Sequence, residues 1–128
     1  MSTGPGKRPR SSMSPTLVFG PDGGLRLVIG SPGGTNIISY VAKTIVAVLD
    51  WGMDVQSAIA LPHVINRNRK ATELERDTAA VALRAPLEAL GHRIKIRRFT
   101  SGLQGIEVLP GRLVGGADPR REGVVMGD

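Results

Sequence analysis

Two short clusters combine residue types and placement in a way that can do chemistry. Ser11-Ser12-Met13-Ser14-Pro15-Thr16 concentrates hydroxyl groups immediately before a β-prone run, and hydroxyl donors suit a carboxylate or phosphate acceptor. Gly33-Gly34 stands between a strand and a long apolar stretch. Two adjacent residues without side chains at a helix entry leave backbone N–H groups bare and aimed outward, an arrangement that can hold an oxyanion or carboxylate. Both clusters also have a plain reading, a tight connection and ordinary capping serines. His63 and His92 lie in different segments, the acidic residues are scattered, and no metal-ligand spacing or lysine-bearing phosphate loop occurs. No cofactor or metal is expected. His92 follows a helix-stopping Gly91, where an imidazole is most simply a surface group near a helix C-terminus.

The elements that must position these clusters follow from pattern. Residues 1–14 hold Gly, Pro, Ser and basic residues without apolar periodicity and read as an extended lead-in, with one α+β domain over 15–128. Thr16–Phe19 and Leu25–Ile29 flank Gly20-Pro21-Asp22-Gly23-Gly24, which predicts a hairpin. Ile37, Val41, Ile45 and Val48 repeat at helical spacing, so a buried helix is expected over Ile37–Leu49. Trp51-Gly52-Met53 breaks it, Asp54 caps a short second helix through Ile59, and Pro62 stops that one. The resulting elbow resembles a helix-turn-helix, but its second helix lacks any Arg or Lys to meet phosphate. His63–Lys70 reads as irregular, Thr72–Asp77 as a short strand, and Ala79–Leu90 as helix-prone with Pro86 in its first turn if it begins near Ala85. Arg93–Arg97 alternates as an antiparallel strand with one wet face, and 105–109 and 112–114 are expected to pair after it in a second sheet.

Composition sets the outer limits. In 128 residues, 41% hydrophobic and 22% charged, there is room for one modest core. Aromatics are only 3%, namely Phe19, Tyr40, Trp51 and Phe99, which argues against a stacking platform for single-stranded nucleic acid. The absence of cysteine excludes disulfides, thiolate metal sites and a cysteine nucleophile. A net charge of +6 favours acidic ligands without naming one. No apolar run is long enough for a membrane span, and no targeting segment is visible.

The spacing of the clusters adds a resemblance. The serine cluster, the hairpin, Gly30-Ser31-Pro32-Gly33-Gly34, the apolar helix and Asp50-Trp51-Gly52-Met53-Asp54 with Ala58 resemble the γ-glutamyltransferase family. Leu90-Gly91-His92, Gln104 and Gly116-Ala117-Asp118-Pro119-Arg120 extend the likeness, which runs from Lys7 onward. The resemblance implies part of an N-terminal-nucleophile hydrolase with a four-layer αββα sandwich of antiparallel sheets and packed helices. It implies γ-glutamyl transfer or glutathione hydrolysis, with a related acylase specificity open in the same fold, and relatives in the periplasm or outside the cell. By position, Ser11 and Ser12 would bind the α-carboxylate of the γ-glutamyl group, and Gly33 and Gly34 would form the oxyanion hole.

The family's nucleophilic threonine opens a Thr-Thr-His type motif upstream of the serine pair, and no such motif stands here. Thr3 and Ser2 lack its context. The sequence is therefore read as the C-terminal part of the small subunit, inactive alone and partnered by the missing large-subunit and nucleophile segments. A truncation, a split subunit and an inactive remnant all fit. The alternative from another class is a noncatalytic module whose basic runs, Arg67/Arg69/Lys70 and Arg93/Lys95/Arg97/Arg98, meet an acidic partner or nucleic acid, without specificity for the latter.

Overall fold

The computed structural model describes residues 4–127. Seven strands and three α-helices follow in the order β1 Thr16–Phe19, β2 Leu25–Gly30, α1 Ile37–Leu49, α2 Val55–Ala60, β3 Val64–Ile65, β4 Ala71–Glu75, α3 Arg84–Ala89, β5 Arg93–Arg97, β6 Gln104–Leu109 and β7 Arg112–Ala117. Short 3-10 segments, Gly34–Asn36 and Ala79–Leu83, lead into α1 and α3. The α+β class read from the sequence is the observed one.

The predicted hairpin forms, with Leu17 opposite Val28 and Val18 opposite Leu27. Its partner is β6, and β7 completes an antiparallel sheet in the order β1-β2-β6-β7. Period-two alternation gives this sheet one dry face. Leu27 and Ile29 point inward onto α1 and α2, in a core shared with Tyr40, Val41, Ala47, Val48, Val55, Ala58 and Ile59. Helix α2 lies close on the sheet because Gly116 has no side chain there. A Cβ at that position would stand 2.9 Å from Ile59 Cδ1 and 3.1 Å from the backbone nitrogen of Gln56. Gln56 then clasps the end of edge strand β7, donating from Nε2 to the Ala117 carbonyl at 3.0 Å and accepting the Ala117 N–H on Oε1 at 2.9 Å.

The second sheet corrects two expectations. Strand β5 pairs parallel to β4, with Ala71 opposite Arg93 and Glu75 opposite Arg97, rather than antiparallel to β6. Alternation reports that one face is wet but carries no direction. Direction is set by the crossover through α3, which returns the chain in the same sense. Helix α3 begins at Arg84, so Pro86 falls in its first turn, where a missing N–H costs nothing. His63 and its neighbours are likewise less irregular than their polarity predicts. Val64–Ile65 forms β3 against β4, and His63 itself is buried.

A buried ionic cluster joins the two sheets. Arg120, just beyond β7, donates from Nε to Glu75 Oε1 at 2.5 Å, from Nη2 to Glu75 Oε2 at 2.8 Å, and from Nη1 to Asp118 Oδ1 at 3.0 Å. It also reaches the Ile59 and Leu61 carbonyls at 3.2 and 2.9 Å. Lys43 Nζ from α1 donates to the carbonyls of Ala58 and Leu61, both at 3.0 Å. Two cations thereby satisfy the carbonyls that the end of α2 leaves without intrahelical donors. Burial would raise the Glu75 carboxyl, but the hydrogen bonds and charge of Arg120 outweigh it and leave the group below its ordinary range. Burial, aided by the charge of Arg120, pushes Lys43 down to about 8.

Replacing Arg120 with leucine leaves two acidic side chains buried without their cation. A loss of about 3–5 kcal/mol in unfolding free energy is expected, read from the urea midpoint. Arg84→Gln, which removes only the exposed ion pair with Glu88 on α3, should change it by less than about 0.5 kcal/mol.

Candidate functional site

Gly33 and Gly34 occupy the entry to α1 in backbone conformations that their type permits. Their φ values are +137° and +59°, both in the region that disfavours a Cβ. At Gly33 the restriction is doubled, because a Cβ would lie 2.5 Å from Tyr40 Cε2. At Gly34 the space is open. At a helix start the first amide N–H groups lack intrahelical acceptors, so this loop presents donors to whatever occupies its front.

The loop is held from behind by groups distant in sequence. Ser31 Oγ accepts the Gly102 N–H at 3.1 Å and donates to the Pro32 carbonyl at 2.6 Å. Pro32 packs on Gly102, where a Cβ would meet Pro32 Cγ at 2.8 Å. Tyr40, against which Gly33 rests, is buried under His63, ring centroids 4.4 Å apart, and meets Phe99 edge-on at 6.2 Å. Burial raises the Tyr40 hydroxyl above its usual range.

His63, Ser101 and Asp118 form a fully buried chain. His63 Nε2 lies 2.7 Å from Ser101 Oγ, which donates to Asp118 Oδ2 at 2.5 Å; the Leu103 N–H joins the same oxygen at 3.1 Å. The three residue types are those of a hydrolase triad, yet the order is wrong for one. Serine stands between the other two, so its single proton goes to the carboxylate and the imidazole must donate from Nε2. That tautomer leaves Nδ1 a bare acceptor, and Nδ1 is indeed buried without a partner. The chain is a brace, not a nucleophile. Burial, then the charges of Lys43 and Arg120, push His63 down to about 3.

Ser12 lines a cavity of about 360 Å³ together with Arg10, Thr35, Ile38, Ser39, Asn66, Arg67 and Arg69. Thr35 follows Gly34 directly, so Ser12 and the residue after the glycine pair border one space, while Gly33, Gly34 and Ser11 do not line it. Ser11 is exposed, and its Oγ accepts the Met13 N–H at 3.2 Å. Arg67 donates to Thr35 Oγ1 and ties the turn between β3 and β4 to the same place. His92 is exposed at the start of β5's approach and takes no part. Among the described residues, no group of three or more His, Asp or Glu could hold a metal ion. None of the described helices is long and apolar enough to cross a membrane.

Sequence reasoning missed the brace. Asp118 and Arg120 stand out in the sequence only as part of a motif, and Glu75 and Ser101 carry no local signal, because the contacts that tie Ser101 to Asp118 and Glu75 to Arg120 span 17 and 45 residues. The one available hint was a cluster of charged or polar residues beside otherwise apolar runs.

Two outcomes follow from this geometry. Gly33→Ala should destabilise the protein by more than Gly34→Ala, which meets only left-handed strain of about 1 kcal/mol; thermal melting of the pair measures the difference. For His63, the unfolded side chain titrates near 6.5 and the folded one at about 3, so the unfolded state binds the extra proton between these values. Stability is complete above about pH 6.5 and is lost as pH falls towards 3. His63→Gln should flatten that slope in urea titrations run at several pH values.

Comparison with known proteins accords with these observations. The family model described as Gamma-glutamyltranspeptidase matches residues 2–128. The glutathione hydrolase proenzyme of Escherichia coli strain K12 is 38% identical over 121 residues, which cover 93% of this chain and 20% of that protein. The Bacillus subtilis strain 168 proenzyme is 33% identical over 126 residues, 96% of this chain and 21% of its own length. The chain thus spans about a fifth of the curated relatives it matches. The Helicobacter pylori gamma-glutamyltranspeptidase T380A mutant superposes with a TM-score of 0.83 at 31% identity, covering 93% of this chain and 66% of that one. The Pseudomonas nitroreducens enzyme complexed with L-DON gives 0.84 at 30% identity, covering 99% and 67%. With its α+β architecture, its glycine-opened helix and these matches along nearly its whole length, the chain belongs to the gamma-glutamyltranspeptidase family.

Proposed function

We propose that this chain supplies the substrate-carboxylate site and the oxyanion hole for γ-glutamyl transfer or glutathione hydrolysis. The nucleophilic threonine comes from a segment outside these 128 residues. Ser11 and Ser12 donate hydrogen bonds to the α-carboxylate of the γ-glutamyl group. The Gly33 and Gly34 amides receive the negative charge that develops on the γ-carbonyl oxygen during attack, where fixed donors need no reorganisation. The observation that supports this reading is the pair of glycines at positive φ followed directly by Thr35, which lines the same cavity as Ser12. Glutathione is the compound named by the relatives that match, and other γ-glutamyl compounds share the recognised half.

The remaining chain of the enzyme has a natural seat. The face of the four-stranded sheet opposite α1 and α2 carries Leu17, Phe19, Ile106 and Leu113, all exposed. We place there the further layers of an αββα sandwich, since an exposed apolar sheet face of this kind marks a surface made for contact with another layer.

The second reading, a noncatalytic basic module, draws on a groove of about 840 Å³ that gathers Arg67, Arg69, Lys70, Arg93, Lys95 and Arg97 from both basic runs. Glu73 sits among them, 2.7 Å from Arg97. Binding of a polyanion that weakens steeply with salt would favour this module.

The test is release of p-nitroaniline from γ-glutamyl-p-nitroanilide by the chain alone and mixed with a separately expressed upstream portion bearing the threonine. Turnover in the mixture only is the expected result. Ser11→Ala with Ser12→Ala should then raise KM by about tenfold or more, as two hydrogen bonds to a charged group are lost. Turnover by the chain alone would overturn the claim that its nucleophile lies elsewhere, and silence in both would favour the basic module or an inactive remnant.

A further inference from the structure

The cavity beside Gly34 holds more positive charge than a γ-glutamyl group can use. Arg10 enters from the lead-in next to Ser12, while Arg67 and Arg69 come from the turn between β3 and β4; Thr35 and Ser39 of the helix entry add hydroxyl groups. No Asp or Glu lines the space, and none of the three arginines forms an ion pair among the described residues. A γ-glutamyl group carries one α-carboxylate and one α-ammonium and so offsets none of this excess. Arg67 is held against Thr35, the residue after the glycine pair, which fixes its guanidinium at the edge of this cavity. Arg67 and Arg69 also border the larger basic groove, so positive charge continues outward from this point.

We infer that Arg67 and Arg69 form a subsite for a second carboxylate, one carried by the amine-side half of the γ-glutamyl compound. The inference rests on the reading of Ser12, Gly33 and Gly34 given above and assigns to Arg67 and Arg69 the free carboxylate that the amine half of a γ-glutamyl peptide carries. Guanidinium groups suit this task because their planar donors meet a carboxylate along two parallel hydrogen bonds. The subsite acts in binding and orientation, and no proton or bond changes hands there.

Backbone amide NMR of the full chain provides the test. Succinate, a dicarboxylate without a γ-glutamyl group, should shift the amides of Arg67, Arg69 and Thr35, and its affinity should fall about fivefold or more in R67Q/R69Q. The control R84Q/R112Q removes the same net charge from α3 and β7 and should leave succinate binding unchanged. Glutathione should bind about fivefold more tightly than its glycine amide, and R67Q/R69Q should erase that difference while the amide's own affinity holds. Because Arg67 and Arg69 lie at the surface turn, a dispersed spectrum of the variant certifies its fold. Succinate that leaves the Arg67 and Arg69 amides unmoved would overturn the inference. So would equal binding of glutathione and its amide. If succinate binds at Arg67 and Arg69 but glutathione fails to shift Ser11 and Ser12, the carboxylate site stands and the γ-glutamyl reading falls.

Discussion

The Arg120 guanidinium, buried between Glu75 and Asp118, is the interaction on which the arrangement of this chain depends. A charge in that position is tolerable only if every donor finds an acceptor, and the acceptors come from three places: strand β4, the end of β7 and the C-terminal carbonyls of α2. The four-stranded sheet, the three-stranded sheet and α2 therefore meet at one side chain, which adds to the Gln56 clasp on β7 and the Lys43 contacts with the end of α2. Apolar contact alone would permit sliding between these surfaces, whereas a guanidinium with five directed donors permits one register.

From that point the constraint passes to the site through contacts rather than through charge. Asp118 holds Ser101, Ser101 holds His63, and His63 stacks on Tyr40, whose ring occupies the space a side chain at position 33 would need. Ser31 and Gly102 join the same segment to the glycine loop. The loop's unusual backbone is stabilised by a rigid backing, in keeping with the general rule that strained conformations persist where their surroundings over-determine them. A neutral, buried histidine suits this duty better than a charged one, because a third positive charge beside Lys43 and Arg120 would oppose the cluster. The superficial likeness to a hydrolase triad disappears once the protons are assigned.

The chain's two faces differ accordingly. The inward face of the larger sheet is packed by aliphatic residues and closed by α1 and α2, while its outward face carries exposed Leu17, Phe19 and Leu113. The smaller sheet is short and ends on the basic strand β5, and it adds both Ile65 and Leu74 to the buried apolar residues and a charged outer strand. Two of the four aromatics, Tyr40 and Phe99, are buried and pack with the His63 ring in one cluster, which concentrates their contacts where the loop is supported.

Local signals made much of this legible in the sequence. Apolar spacing placed α1, the glycine-rich turn placed the β1–β2 hairpin, and Asp54 marked the start of α2, where its side chain accepts the Ser57 N–H at 3.0 Å. The Gly33-Gly34 pair and the Ser11-Ser12 pair stand out because their residue types are restrictive within a few positions, and their order along the chain carries the resemblance to the family that the comparisons show. What the sequence did not determine was everything that requires two distant segments to meet. The parallel pairing of β4 with β5, the burial of His63, the joining of both basic runs in one groove and the Glu75–Arg120–Asp118 cluster each depend on which face a strand presents and which way it runs. Alternation and capping are properties of neighbours in sequence, whereas direction, depth and charge pairing are fixed only when the sheets close on one another, and that closure is the work of the tertiary structure.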